Sequence, residues 1–308
     1  MSPILEVSDL SLSIADGHII QKQKQILDSV SFEIVEGKAT AYLGPNGAGK
    51  TSTFRILCGL SKASSGNVRF KGKRITNGLL SNQLGFMPEQ PYFYKNLTPK
   101  ELLYGLGKLS GIDKKKLKTS IDEWAEKLYF TKVINQRLSS CSKGQIQRVG
   151  LAQALIHEPS FILLDEPLSG LDPLGRECVR EVIRSEVKKG ATVLFSSHIL
   201  SDAQAMCEHV IVIQQGTIAY SGAMKPLLTT DTNWFIRASW ANDALPYFER
   251  AEVYRDMDAT LCLKVSSEKI RDDIIHHILQ SPDASLISVE LEQRTLEQAF
   301  VEILKGKK

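Results

Sequence analysis

The sequence has no long hydrophobic run. Its wholly apolar stretches are as short as FILL at 161–164 and VIVI at 210–213, far below the roughly 18 to 20 residues a bilayer span requires. The chain is therefore not expected to cross a membrane as a helix. Cysteine is sparse: Cys58, Cys141, Cys178, Cys207 and Cys262 are odd in number and never form C-x-x-C. That argues against a disulfide framework or a zinc site and fits a reducing cytoplasm. The opening MSPILEVSDL lacks the basic-then-apolar order of a signal peptide, with Glu6 and Asp9 inside it, so export is not expected. Low-complexity segments and internal repeats are also missing. What is there is ordinary: 24% charged and 43% hydrophobic over 308 residues, the profile of a globular chain with room for about two domains.

The net charge of +3 is unevenly spread. Residues 229–308 carry 10 Lys and Arg against 14 Asp and Glu, while the preceding residues carry 28 against 21. A mildly basic body suits an anionic ligand but is too dilute for nucleic acid, which is not expected as a partner. The one dense basic run, KKKLK at 114–118, reads as a solvated helix face.

The first segments, ILEVSDLSLSI and ILDSVSFEIVEG, alternate apolar and polar residues as strands do. ATAYL at 39–43 is a short apolar strand running into glycines, followed by a helical period from Thr51 to about Leu60. Residues 99–154 read as mostly helical, with Leu102, Leu103, Leu106 and Leu109 and later Val149, Ala152 and Leu155 at spacings of three and four. Apolar strands return at 161–164, 191–195 and 210–213, separated by helical stretches, which predicts a buried parallel sheet. The last 80 residues change character: NWFIRASW, a helix containing Pro246, LCLKV, a helix over 268–279, SLISVEL and a helix from Thr295, whose spacing to Gln298 fits a capping box. They predict a small α+β domain over 229–308, after a larger domain over 1–228.

Gly44, Pro45, Asn46, Gly47, Ala48, Gly49, Lys50 and Thr51 fit G-x-x-x-x-G-K-[ST] between a strand and a helix. Glycines let successive backbone N–H groups face phosphate oxygens, and the helix N-terminus, which includes Ser52, adds its dipole. Lys50 is expected to reach the β- and γ-phosphates and Thr51 to offer its hydroxyl to Mg²⁺. Further on, the apolar strand at 161–164 ends in two adjacent acids, Asp165 and Glu166. Neighbouring strand residues face opposite ways, so the two cannot do the same work. One can bind Mg²⁺ and the other can orient or deprotonate the attacking water.

Three more motifs complete an order that resembles the ATP-binding cassette (ABC) ATPases. SSCSKGQIQR at 139–148 is similar to the family signature, and SGLDP at 169–173 to its D-loop; His198 in SSHIL stands where the family has a switch histidine. The resemblance implies a P-loop NTPase α/β core with a helical subdomain inserted at about 91–160, ATP and Mg²⁺ as ligands, and ATP hydrolysis between two copies of the chain. By that resemblance Glu166 polarises the water, Asp165 supports Mg²⁺ and His198 contacts the γ-phosphate. Ser142, Gly144 and Gln145 face the ATP of the other copy, and Asp172 bridges the two sites.

The chain also departs from the family pattern. Lys143 stands for the first signature glycine and Cys141 for the usual leucine; the serine-lysine-glycine version resembles exporter ATPases of the ABC-2 type. In FMPEQP at 86–91 either Glu89 or Gln90 can serve as the Q-loop residue beside Mg²⁺, and Gln90 is preferred. The adenine-stacking aromatic is missing from 11–25, where His18 is the only ring. The aromatic stretch PYFYKNLT at 91–98 is either packing core or the seat of a membrane permease. The ending SLISVELEQRTLEQAFVEILKG resembles exporter ATPases. The resemblance thus implies a cytoplasmic ATPase, peripheral on the inner face of the membrane, that drives a separately encoded ABC-2-type permease. The alternative is a non-transport ABC ATPase acting on ribosomes or DNA. Such proteins usually carry two cassettes or long coiled coils, which this sequence lacks. A plain kinase or GTPase is opposed by the signature and by the missing guanine-reading motif.

Overall fold

The alternating residues at the start of the chain form a long hairpin, β1 (Pro3–Asp16) and β2 (Lys22–Val35), in the computed structural model, which describes residues 3–16, 22–75, 83–240, 248, 251–255, 260–293 and 295–306. The chain divides into two units, 1–224 with 303–308, and 225–302.

In the first unit, β3 (Ala39–Leu43) is followed by α1 (Lys50–Leu57), then β4 (Ser65–Phe70), β5 (Lys73–Ile75) and β6 (Leu84–Met87). Three helices come next: α2 (Pro99–Leu109), α3 (Lys114–Lys127) and α4 (Lys143–Leu155). The chain then runs through β7 (Phe161–Leu164), α5 (Pro173–Lys188), β8 (Thr192–Ser197), α6 (Leu200–Met206), β9 (His209–Gln214) and β10 (Thr217–Ala223). One antiparallel sheet has the order β2-β1-β4-β5; the other has the order β10-β9-β3-β8-β7-β6, parallel except for the β10–β9 pair. The expected parallel sheet is therefore present. Strands β3, β6, β7 and β8 end on the same side, and outside such carboxyl ends is where ligands bind in open α/β sheets.

The core between the sheets explains why α1 lies where it does. Phe54 is fully buried, and the rings of Phe32, Tyr42 and Phe54 follow one another at 5.5 and 5.7 Å. Burying Phe54 and Leu57 contributes about 1.5 to 3 kcal/mol each, enough to fix a helix of only eight residues. The helix ends at Leu57, not near Leu60, because Gly59 takes φ of 75°, the left-handed conformation that closes helices. The helical stretch over 99–154 is three helices, capped by Thr98, Asp113 and Ser142 and interrupted by turns and short 3-10 segments. The basic run at the start of α3 is a solvated face: only Leu117 of the five is buried. Gly150 brings α4 against the aromatic stretch, since a Cβ there would meet Pro91 at 2.7 Å and Phe93 at 3.8 Å.

A buried ion pair joins α5 to α6. Arg180 Nη2 donates to Asp202 Oδ1 at 2.5 Å; Asp202 is wholly buried, with Arg176 Nη1 4.0 Å from its other oxygen. Arg180 also reaches Glu177 at 2.7 Å, so it keeps a partner if Asp202 is lost, whereas Asp202 without Arg180 is a nearly unpaired buried carboxylate. Arg180→Ala is therefore expected to destabilise the chain by about 3 kcal/mol or more, and Asp202→Asn by about half that. Chemical denaturation of the full chain measures both, and the reverse ranking would contradict this account.

The second unit contains α7 (Lys225–Leu228), β11 (Thr229–Trp240), β12 (Ala251–Arg255), β13 (Leu261–Val265), α8 (Glu268–Gln280), β14 (Ala284–Gln293) and most of α9 (Leu296–Lys305). Its antiparallel sheet has the order β12-β13-β11-β14. Ile274 and Ile278 of α8 pack on Ile236, Leu261 and Leu263. The Arg271 guanidinium lies 4.1 Å over the Trp234 ring. Thr295 and Gln298 make the expected capping box, with exchanged bonds of 2.9 and 3.3 Å. The helix read around Pro246 lies outside the described residues.

Candidate functional site

Many of the residues singled out by sequence fall at the carboxyl end of the parallel sheet. Gly44 to Gly49 connect β3 to α1, Glu89 and Gln90 follow β6, Asp165 and Glu166 follow β7, and His198 follows β8. The loop after β3 hugs the protein. A Cβ on Gly44 would come within 2.5 Å of the Ile213 carbonyl, and Gly49, at φ of 111°, would meet Leu27 at 2.6 Å. Only glycine fits these positions. Gly49 caps α1 without any side-chain bond, unlike the caps of α2 to α5, so the first amides of α1 are left to an outside acceptor. Pro45, Asn46 and Gly47 are exposed, Ala48 is buried, and Thr51 is exposed beside half-buried Ser52. Lys50 is 8% exposed, and its Nζ donates to the carbonyl of Gly44 at 2.7 Å and lies 3.4 Å from that of Pro45.

The two acids are placed differently, and it is the turn at Glu166 that separates them, since β7 ends at Leu164. Asp165 continues the pairing of β7 with β6, donating its N–H to the Met87 carbonyl at 2.8 Å, and is 1% exposed. Glu166 leaves the strand in a left-handed turn at φ of 49°, rare for a residue with a side chain. Its carbonyl accepts from Ser169 N–H at 3.1 Å and from Gln147 Nε2 at 3.4 Å. The turn brings Glu166 Oε1 to 3.6 Å from Lys50 Nζ and Oε2 to 2.7 Å from His198 Nδ1. A carboxylate only accepts, so Nδ1 carries the hydrogen of this bond and Nε2 is left for another partner. His198 is half exposed and Glu166 is buried.

Two contributors were not read from the sequence. Ser196, fully buried on β8, donates to Asp165 Oδ1 at 2.6 Å and accepts the Glu166 N–H at 2.8 Å. Gln147, 2% exposed in α4, holds the Glu166 carbonyl. Strand β8 also carries Thr192 and Ser197, so a serine in it gave no distinctive signal for Ser196.

A cavity of about 280 Å³ is lined by Thr51, Glu89, Gln90 and Asp165 among others, so both Q-loop candidates face the same space. Among the described residues no three His, Cys, Asp or Glu side chains converge as a metal cage. One carboxylate and one hydroxyl with room for phosphate oxygens is the donor set Mg²⁺ takes in nucleotide sites, so these residues fit it. Nearby Cys58 is no competitor as a ligand. Burial, reinforced by Asp165, pushes its thiol up to about 12.

The signature residues lie apart from this cluster. Ser142 caps α4, and Ser142 and Gln145 bond each other in a capping box at 2.8 and 3.2 Å rather than reaching the loop after β3. Gly144 follows, half buried. Asp172 caps α5 through Gly175 N–H at 2.9 Å. Lys143 lies along the turn at Gly170, where a Cβ would meet its Cε at 3.3 Å. His18 lies outside the described residues.

Residues 27–169 match the family model described as ABC transporter. The chain is 40% identical over 206 residues to the uncharacterized ABC transporter ATP-binding protein YxlF of Bacillus subtilis (strain 168), covering 67% of this chain and 68% of that protein. It is 32% identical over 306 residues to the uncharacterized ABC transporter ATP-binding protein sll0415 of Synechocystis, covering 98% and 85%. Among solved structures it resembles the ATP binding subunit of an ABC transporter with a TM-score of 0.65 and 29% identity, over 73% of this chain and 91% of that one. The dimeric, post-hydrolysis ATP-binding cassette MJ0796 bound to ADP and Pi gives a TM-score of 0.64 at 23% identity, over 71% and 98%, a likeness of fold. The P-loop NTPase fold is thus the one expected.

Proposed function

Because the chain belongs to the ABC transporter ATP-binding proteins, we propose that it is the ATP-hydrolysing subunit of an ABC-2-type membrane exporter, driving a permease carried on a separate chain. It is an ATPase with an ABC core. In our reading, the glycine loop and the free amides of α1 hold the phosphates, with Lys50 turning from the loop carbonyls to the β- and γ-phosphate oxygens. Thr51, Asp165 and Gln90 would hold Mg²⁺, which when bound offsets the charge of the phosphate oxygens. Glu166 accepts the proton of the attacking water, and His198, tied to Glu166 through Nδ1, offers Nε2 toward the γ-phosphate. A second copy of the chain supplies Ser142, Gly144 and Gln145 to the far side of the nucleotide, and Asp172 lies between the two sites. ATP then favours the closed pair and hydrolysis releases it.

The observation that carries the transport reading is a groove of about 680 Å³ lined by Leu60, Phe86, Pro88, Tyr92, Phe93 and Leu109, among others. Tyr92 is 90% and Leu109 85% exposed, an apolar concentration beside the Glu89 and Gln90 loop that suits a partner's helix. The serine-lysine-glycine signature and the acidic C-terminal unit favour an exporter. No helix of the described residues is long and apolar enough to cross a membrane, so the location we propose is the cytoplasmic face, through the permease.

Affinity capture of the full chain from native membranes is expected to recover a polytopic membrane protein. Tyr92→Ala with Leu109→Ala should weaken that capture by about thirtyfold, the loss of a central aromatic contact. Recovery of ribosomes or DNA instead, or membrane binding by the purified chain alone, would overturn the proposal.

A further inference from the structure

We propose that Ser196 is a positioning residue for ATP hydrolysis: one buried hydroxyl that sets the metal carboxylate and the water carboxylate relative to each other. The inference rests on reading Asp165 and Glu166 in those two roles.

The placement follows from strand register. Parallel pairing sets Leu164 of β7 opposite Phe195 of β8, so the next residues, Asp165 and Ser196, come side by side, and on its other side Ser196 pairs with Tyr42 of β3. A serine hydroxyl has one hydrogen to give and lone pairs to receive. Because a carboxylate only accepts, the hydrogen goes to Asp165 Oδ1 at 2.6 Å, and the oxygen receives the Glu166 N–H at 2.8 Å. Both bonds lie where water is excluded, since Ser196 is 0% and Asp165 1% exposed.

This bond pair does more than satisfy a buried hydroxyl. Glu166 stands at φ of 49°, a conformation that persists only where surroundings over-determine it. Its carbonyl is held from two directions, by Ser169 and Gln147, and its N–H by Ser196 alone. The turn so fixed aims the Glu166 carboxylate between Lys50 and His198. The same hydroxyl holds Asp165 at the cavity it shares with Thr51 and Gln90. Removing it leaves a buried amide and a buried carboxylate oxygen short of a partner, on the two residues whose orientation the reaction uses.

Ser196→Ala deletes the hydroxyl and Ser196→Thr keeps it. With the purified full chain, Ser196→Ala is expected to lower kcat by about ten- to a hundredfold, the worth of a hydrogen bond to a charged group, with KM for ATP changed by no more than about twofold. The Mg²⁺ concentration at which a fluorescent ATP analogue is half bound should rise about tenfold, while binding of the analogue without Mg²⁺ stays as in the parent. Ser196→Thr should recover most of both. The proposal is overturned if Ser196→Ala keeps parental kcat and Mg²⁺ dependence. It is overturned equally if Mg²⁺-free binding falls along with turnover, the mark of a general packing role. Asp165→Asn and Glu166→Gln are assayed alongside. If these two retain turnover, the reading of the acids fails. If they lose it and Ser196→Ala does not, the role of Ser196 alone fails.

Discussion

Replacing Glu166 by Gln is expected to leave nucleotide binding intact and to lower ATP turnover by about three orders of magnitude. The change keeps the shape of the side chain, so the bond from His198 Nδ1 at 2.7 Å survives on the amide oxygen. What goes is the negative charge 3.6 Å from Lys50 and with it the capacity to take a proton from water. Lys50 then has one fewer competitor for its ammonium, which favours phosphate. Since hydrolysis is what opens the proposed sandwich, the variant should elute as a dimer on size exclusion with ATP and Mg²⁺. A monomer under those conditions counts against the shared site, and undiminished turnover would remove Glu166 from its role as base.

Lys50→Ala should do the opposite to binding. An ammonium group that is 8% exposed and bonded to loop carbonyls is held in place before any phosphate arrives, so little ordering opposes its contact with the nucleotide. Losing a charge-assisted contact of this kind is expected to weaken ATP binding by about ten- to a hundredfold and to reduce turnover beyond that. It also leaves the buried Glu166 carboxylate with His198 as its remaining close partner, which disturbs the base as well as the cradle. Titration calorimetry with ATP separates the two variants: Glu166→Gln keeps affinity and loses turnover, whereas Lys50→Ala loses both. Parental affinity in Lys50→Ala would overturn the assignment of the loop.

The groups closest to the proposed chemistry were legible because each is local. Gly44 to Thr51 carry their meaning in their own spacing, and the acids announce themselves as charges ending an apolar strand. Ser196 could not be read this way, since its partners are set by pairing between strands about thirty residues apart, a register no local pattern states. The strands passed over failed for similar reasons. In β4 only Val68 and Phe70 are buried, so no apolar run marks it. In β6, four residues long, Gly85 lies so close to α4 that a Cβ would meet the Ala154 carbonyl at 2.2 Å, a demand visible only once the helix is in place. The choice between Glu89 and Gln90 was open in sequence for a reason the structure explains: both line the same cavity.

Helix α4 touches three parts of this machine at once. Ser142 begins it, Gln147 grips the Glu166 carbonyl, and Gly150 receives Pro91 from the aromatic stretch. These contacts span eight residue steps, or about 12 Å along a stiff rod. On the proposed reading, a push delivered at the groove would reach the carboxylate and the signature serine as a single tilt of this rod. One piece of backbone would then gear force to chemistry, so that the stroke and the cutting of the phosphate keep time.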